Sequence, residues 1–119
     1  MINKKMLVIV VLLAILVTAG ASAQQSAFQG IWFGEISSVV VFGHRHSVNR
    51  TGYRIEISGN RWSQFYNNQI EAGGTARFSA GRAELLLADG RLAWDLRLLA
   101  PGLVEQPTHI AGAFRFRLR

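Results

Sequence analysis

The chain contains no cysteine. That excludes disulfide stapling, thiol catalysis and lipid attachment through a lipobox cysteine. Lysine occurs only at Lys4 and Lys5, so every later side-chain cation apart from histidine is arginine. Proline occurs twice, at Pro101 and Pro107, and no proline-rich linker exists. Acidic residues number seven, and their spacing suggests no glycosidase-type carboxylate pair. No Gly-x-Ser-x-Gly, no His-Glu-x-x-His and no phosphate-cradling glycine loop is present. The expectation is a protein that is not an enzyme and carries no cofactor.

The only long apolar run is 6–17, shorter than the ~20 residues of a membrane span. It follows Lys4 and Lys5 and leads into Ala21-Ser22-Ala23. This is the order of a cleavable secretory signal, with Gln24 as the expected mature N-terminus. The sequence predicts a signal-peptide helix over 1–23 and one domain over 24–119. The mature chain is expected to be periplasmic or secreted, with no membrane span.

After residue 23 the balance is eleven arginines against seven acids. The arginines are scattered, which reads as composition rather than a polyanion site. Arg61, Trp62, Arg77 and Phe78 interleave cations with aromatics, but an exported protein is not expected to meet nucleic acid.

From residue 28 onward, hydrophobicity alternates with period two, the mark of antiparallel strands with one buried face. Leu92, Trp94, Leu96 and Leu98 alternate with polar or small residues, as do Phe114, Phe116 and Leu118. Asp89-Gly90 predicts a two-residue hairpin setting Leu87 against Leu92, Leu85 against Trp94 and Ala83 against Leu96. Glu84 then faces Asp95, a like-charge pair that diagonal Arg97 is expected to offset. Gly59-Asn60 predicts a second hairpin, pairing Ile57 with Trp62, Ile55 with Gln64 and Tyr53 with Tyr66. Asn67-Asn68 and Gly81-Arg82 mark further reversals, Gly73-Gly74 suits a bulge or bend, and Pro101-Gly102 suits a type II turn.

About eight short strands result, near 28–36, 38–43, 47–57, 61–66, 70–79, 83–88, 91–99 and 109–118. The predicted fold is an all-β, single antiparallel up-and-down meander barrel. Its inward set is Trp32, Tyr53, Ile55, Ile57, Trp62, Phe78, Leu85, Leu87, Leu92, Trp94, Leu96, Leu98, Phe114, Phe116 and Leu118. Such a set fills most of an eight-stranded barrel and leaves at most a small pocket at one mouth. An outer-membrane barrel is set aside, because the strands are short and carry Arg or Glu outside.

Phe28-Gln29-Gly30-Ile31-Trp32 resembles the Gly-x-Trp that opens lipocalins and related calycin barrels. Gly73-Gly74-Thr75-Ala76-Arg77-Phe78 is similar to a strand of small bacterial lipocalin-like proteins. The chain is shorter than a typical lipocalin and shows no counterpart of its C-terminal helix. The resemblance implies a binding protein for small apolar or amphipathic molecules. It also implies a closure in which Gly30 and Trp32 meet a last-strand arginine, Arg115 or Arg117, through a cation–π contact.

Tyr53, Trp62, Gln64, Tyr66 and Trp94 form the candidate ligand wall, aromatic with polar handles. His44 and His46 flank Arg45, and His109 is the third histidine; a solvated turn is expected rather than a metal site. Two functions stay open. One is a carrier binding a small ligand at one barrel mouth. The other is a filled barrel that contacts an envelope protein, as an interaction or inhibitor module, through loops such as 43–51.

Overall fold

A computed structural model describes residues 24–107 and 112–119. The expected leader and His109 lie outside the described residues.

Residues 24–26 are helical, and strands follow. They are β1 (Gly30–Gly34), β2 (Ile36–Val41), β3 (His44–Asn49), β4 (Tyr53–Ser58) and β5 (Arg61–Tyr66). Then come β6 (Gln69–Ser79), β7 (Arg82–Leu87), β8 (Leu92–Ala100), β9 (Leu103–Pro107) and β10 (Ala113–Leu118). Eight of them close an antiparallel barrel in the order β1-β10-β9-β8-β7-β6-β5-β4, with β4 pairing back onto β1. Neighbours in sequence are neighbours in the sheet, so the predicted meander barrel is the observed fold.

Its membership differs from the expected set. The segment expected at 38–43 is not a barrel stave. β2 and β3 form a separate two-stranded arm, paired from Ile36↔Asn49 to Val41↔His44. The place in the barrel is taken by β9, which is too short to show a period of its own. Its signal was the Pro101-Gly102 turn followed by Leu103-Val104.

The arm is the far half of one long hairpin. Below it, β1 pairs with β4 up to Phe33↔Arg54. Gly34 and Glu35 then oppose Arg50, Thr51, Gly52 and Tyr53, so one side carries a bulge. Asn49 holds that bulge locally. Its Oδ1 accepts from the Thr51 amide at 2.9 Å and from Thr51 Oγ1 at 2.6 Å.

The barrel interior is filled by side chains. Trp32, Ile55, Leu85, Leu96, Val104 and Phe116 are 0% exposed, and Trp62 is 2% exposed. Each such burial stabilises by about 1.5–3 kcal/mol before chain entropy is subtracted. Phe28 plugs the lower end at 0% exposure, its ring 5.9 Å from that of Phe78. Gln29 clamps the same end, accepting from Gly59 N at 2.6 Å and donating to Gly59 O at 2.9 Å.

Two expected core residues are corrected. Leu92 is 49% exposed, because a bulge between Leu85 and Leu86 sets Leu92 opposite Leu86 rather than Leu87. Leu118 is 36% exposed at the lower end of the last strand. Gly73-Gly74 is not the bulge either. That irregularity falls between Gln64 and Phe65, with Glu71 as the extra residue. Gly74 is needed for close approach: a Cβ there would stand 1.9 Å from Leu86 O, the oxygen that accepts from Trp62 Nε1 at 2.9 Å.

Candidate functional site

The upper end of the barrel, from which the arm rises, collects most of the expected ligand wall. The β4–β5 register sets Tyr53 beside Tyr66, and their rings stand 4.7 Å apart. Gln64, opposite inward-facing Ile55, reaches across the interior to Trp94. Trp94 Nε1 donates to Gln64 Oε1 at 2.8 Å, and Gln64 Nε2 donates to Glu71 Oε2 at 2.9 Å. Trp94 also meets Phe116 edge-on, with ring centroids 5.2 Å apart. Trp62 stands apart from this group. It pairs with Ile57 lower in the barrel, and its N–H is taken by Leu86 O.

Sequence reasoning did not single out Arg50. Its guanidinium carbon lies 4.3 Å from the Phe114 ring centroid and 5.2 Å from that of Tyr53. A cation thus lies against two of the aromatics at the upper mouth. The signal, visible only with the register in hand, is an arginine inside the bulge that precedes Tyr53.

The four closure residues do lie on the first and last strands. Gly30 pairs with Ile57, Trp32 with Leu118 and Ile55, and Arg117 with Phe33. The expected stack of Trp32 on Arg115 or Arg117 does not form. Strand alternation turns Phe114 and Phe116 inward, so Arg115 and Arg117 point outward. There Arg117 pairs with Glu35, and Arg115 approaches Glu105 at 4.0 Å. Trp32 Nε1 donates to Phe28 O at 2.9 Å instead. The ladder from β4 through β1 to β10 closes the barrel.

The outer face of β6–β8 carries a charge network. Glu84 does face Asp95, and Arg82 spans the pair. Arg82 Nε and Nη2 donate to the two Asp95 oxygens at 2.7 and 3.1 Å. Arg97 joins Asp95 at 3.2 Å, and Arg77 approaches Glu84 at 3.5 Å. Arg97, expected to offset the like-charge pair, does so through Asp95. Burial pushes the Asp95 carboxyl up, but the Arg82 and Arg97 hydrogen bonds outweigh that and hold it below its ordinary value. The Asp95 hydrogen bond correspondingly raises Arg82.

The arm is the second candidate. Its tip is a two-residue turn, Phe42-Gly43, with φ of 49° and 77°. Phe42 is 97% exposed. His44 and His46 share one face with Val39 and Val41; Arg45 lies on the other, its Nη1 3.4 Å from Ser38 Oγ. Among the described residues β3 pairs only with β2, whose far edge makes a single bridge from Val39 to Gly112. Among the described residues no group of three or more His, Asp or Glu is placed to hold a metal. A groove of about 740 Å³ separates the arm from β9 and β10, lined by Glu35, Ser37, Arg45, Ser47, Glu105 and Arg115.

Comparison with protein-family models, curated proteins and solved structures returned no match.

Proposed function

We propose that this chain is an exported, non-catalytic interaction module of the cell envelope, in which a filled barrel serves as a rigid base and the β2–β3 arm makes the contact. The observation that carries this reading is the pairing of a packed interior with a projecting arm. Trp32, Trp62, Phe28 and Phe116 occupy the space a carrier would give to its ligand. Meanwhile β3 offers a strand edge on which an extended partner segment can add by main-chain hydrogen bonds. The eight-stranded closure is consistent with a calycin-like fold whose ligand space is given over to core.

The test is a photo-crosslinking residue at Ser47, on the exposed strand β3, in cells that express the protein. One discrete protein adduct, lost when the probe is moved to Thr75 on the barrel wall, is the expected result. No adduct from any position in 44–49 would defeat the reading.

A second reading, small-ligand binding, is supported by the meeting of Tyr53, Tyr66, Gln64 and Trp94 at the upper mouth. It confines any ligand to that rim. Saturable quenching of Trp94 by an apolar ligand, abolished in Trp94→Phe, is its signature. Native mass spectra free of bound small molecules, with no quenching, would remove it.

A further inference from the structure

Phe42 combines two unfavourable features in one residue. A bulky aromatic side chain occupies the left-handed region, at φ 49°, and it is 97% exposed. Turns of this shape favour Asn or Gly at that position. Neither feature helps the fold, so a use outside the fold is the economical explanation. The surroundings indicate which use. No Asp or Glu occurs between residues 36 and 55, and the arm strands carry Arg45, His44 and His46, while Arg50 and Arg54 lie below the arm, stacked on Phe114 and Phe65. Behind the tip the basic residues lie on both faces of the arm, histidines on one and Arg45 on the other.

We propose that Phe42 anchors the arm in an anionic lipid surface, inserting at the boundary between headgroups and acyl chains while Arg45 meets the phosphate layer. The tip is convex and narrow, with Arg45 on one face behind it, His44 and His46 on the other, and no acid on either arm strand. An anionic bilayer supplies negative charge in every direction and needs no shape complementarity. Six residues per arm strand give a reach of roughly 20 Å, enough to hold the barrel clear of the headgroups. This inference goes beyond the interaction reading and does not depend on it, since vesicles contain no protein partner.

The test uses protein recovered from expressing cells, with its N-terminus read by mass spectrometry. All variants then share that N-terminus, and any contribution from it cancels. The probes are phosphatidylglycerol-rich vesicles and pure phosphatidylcholine vesicles, with and without brominated acyl chains. Phe42→Trp should show bromine quenching well above the parent's, because Trp32 and Trp62 are buried in the barrel and Trp94 lies at its mouth, roughly 20 Å below the tip. Phe42→Asn should weaken partitioning by about 10-fold or more, the factor expected for losing a buried aromatic. Arg45→Gln should weaken it about 5-fold. Phe42→Asn makes an Asn-Gly turn, so its loss of binding cannot be blamed on misfolding. Quenching of Phe42→Trp no greater than the parent's would overturn the proposal. So would equal partitioning of Phe42→Asn, or equal binding to both lipids. Loss of the Ser47 adduct in Phe42→Asn, with no vesicle binding by the parent, would assign the tip to a protein pocket instead.

Discussion

Residue by residue, the molecule separates positions that serve the fold from positions that work against it. Phe42 is of the second kind. Replacing it with Asn relieves the left-handed strain and removes an exposed ring, and should raise stability by about 1 kcal/mol. A urea or thermal midpoint measures this, and a lower midpoint would show that the ring stabilises the turn. Gly74 is of the first kind. A methyl group there collides with Leu86 O and dislodges the Trp62 indole N–H from its acceptor. Gly74→Ala should therefore cost about 2–3 kcal/mol and change the near-ultraviolet signal of Trp62. Gly34 behaves alike: a Cβ would lie 2.0 Å from Arg50 O, so Gly34→Ala should disturb the bulge from which the arm departs.

At the scale of strands and hairpins, stability is uneven. An isolated two-stranded ribbon is marginal in water, and the arm touches the barrel chiefly through Val39 and Gly112. Amides of 36–49 should exchange with deuterium well before those of β4–β8, and uniform protection would contradict this. The β6–β8 network makes a different prediction. The Asp95 carboxyl sits below its ordinary 3.8, so its contribution is complete above that pH and is lost as pH falls through the depressed value. Asp95→Asn should lower stability at neutral pH by about 1 kcal/mol and flatten the acid limb below pH 3.8. An unchanged acid limb would mean other carboxylates set it. Elements with turn chemistry and alternation in agreement were legible in advance, as at Gly59-Asn60, where all three expected pairs form. Elements shaped by long-range contact were not. Leu103–Pro107 becomes a strand because β8 and β10 flank it, and 36–49 leaves the barrel because of a bulge whose width no local pattern encodes. The placing of Tyr53 beside Tyr66, with Gln64 on the same face, was legible through register, whereas Trp62, expected with them, lies lower in the barrel. Arg50 was not, since its partners Tyr53 and Phe114 meet only when the ends of the chain do.

For the whole molecule, the decisive junction is between β1 and β10. Trp32 lies opposite Leu118, and Gly34 opposite Phe116, so the earliest stave of the barrel is held by the latest. Removal of 113–119 should abolish cooperative unfolding altogether rather than loosen one edge, because Phe116 is also a central core residue. Retention of a sharp two-state transition in that truncation would contradict the account. The same junction governs timing. While the ribosome is still adding residues, the nascent chain can form hairpins but has no lid for its seam. The native state becomes reachable only once β10 has been made, so until then the growing barrel stays in a pliable form.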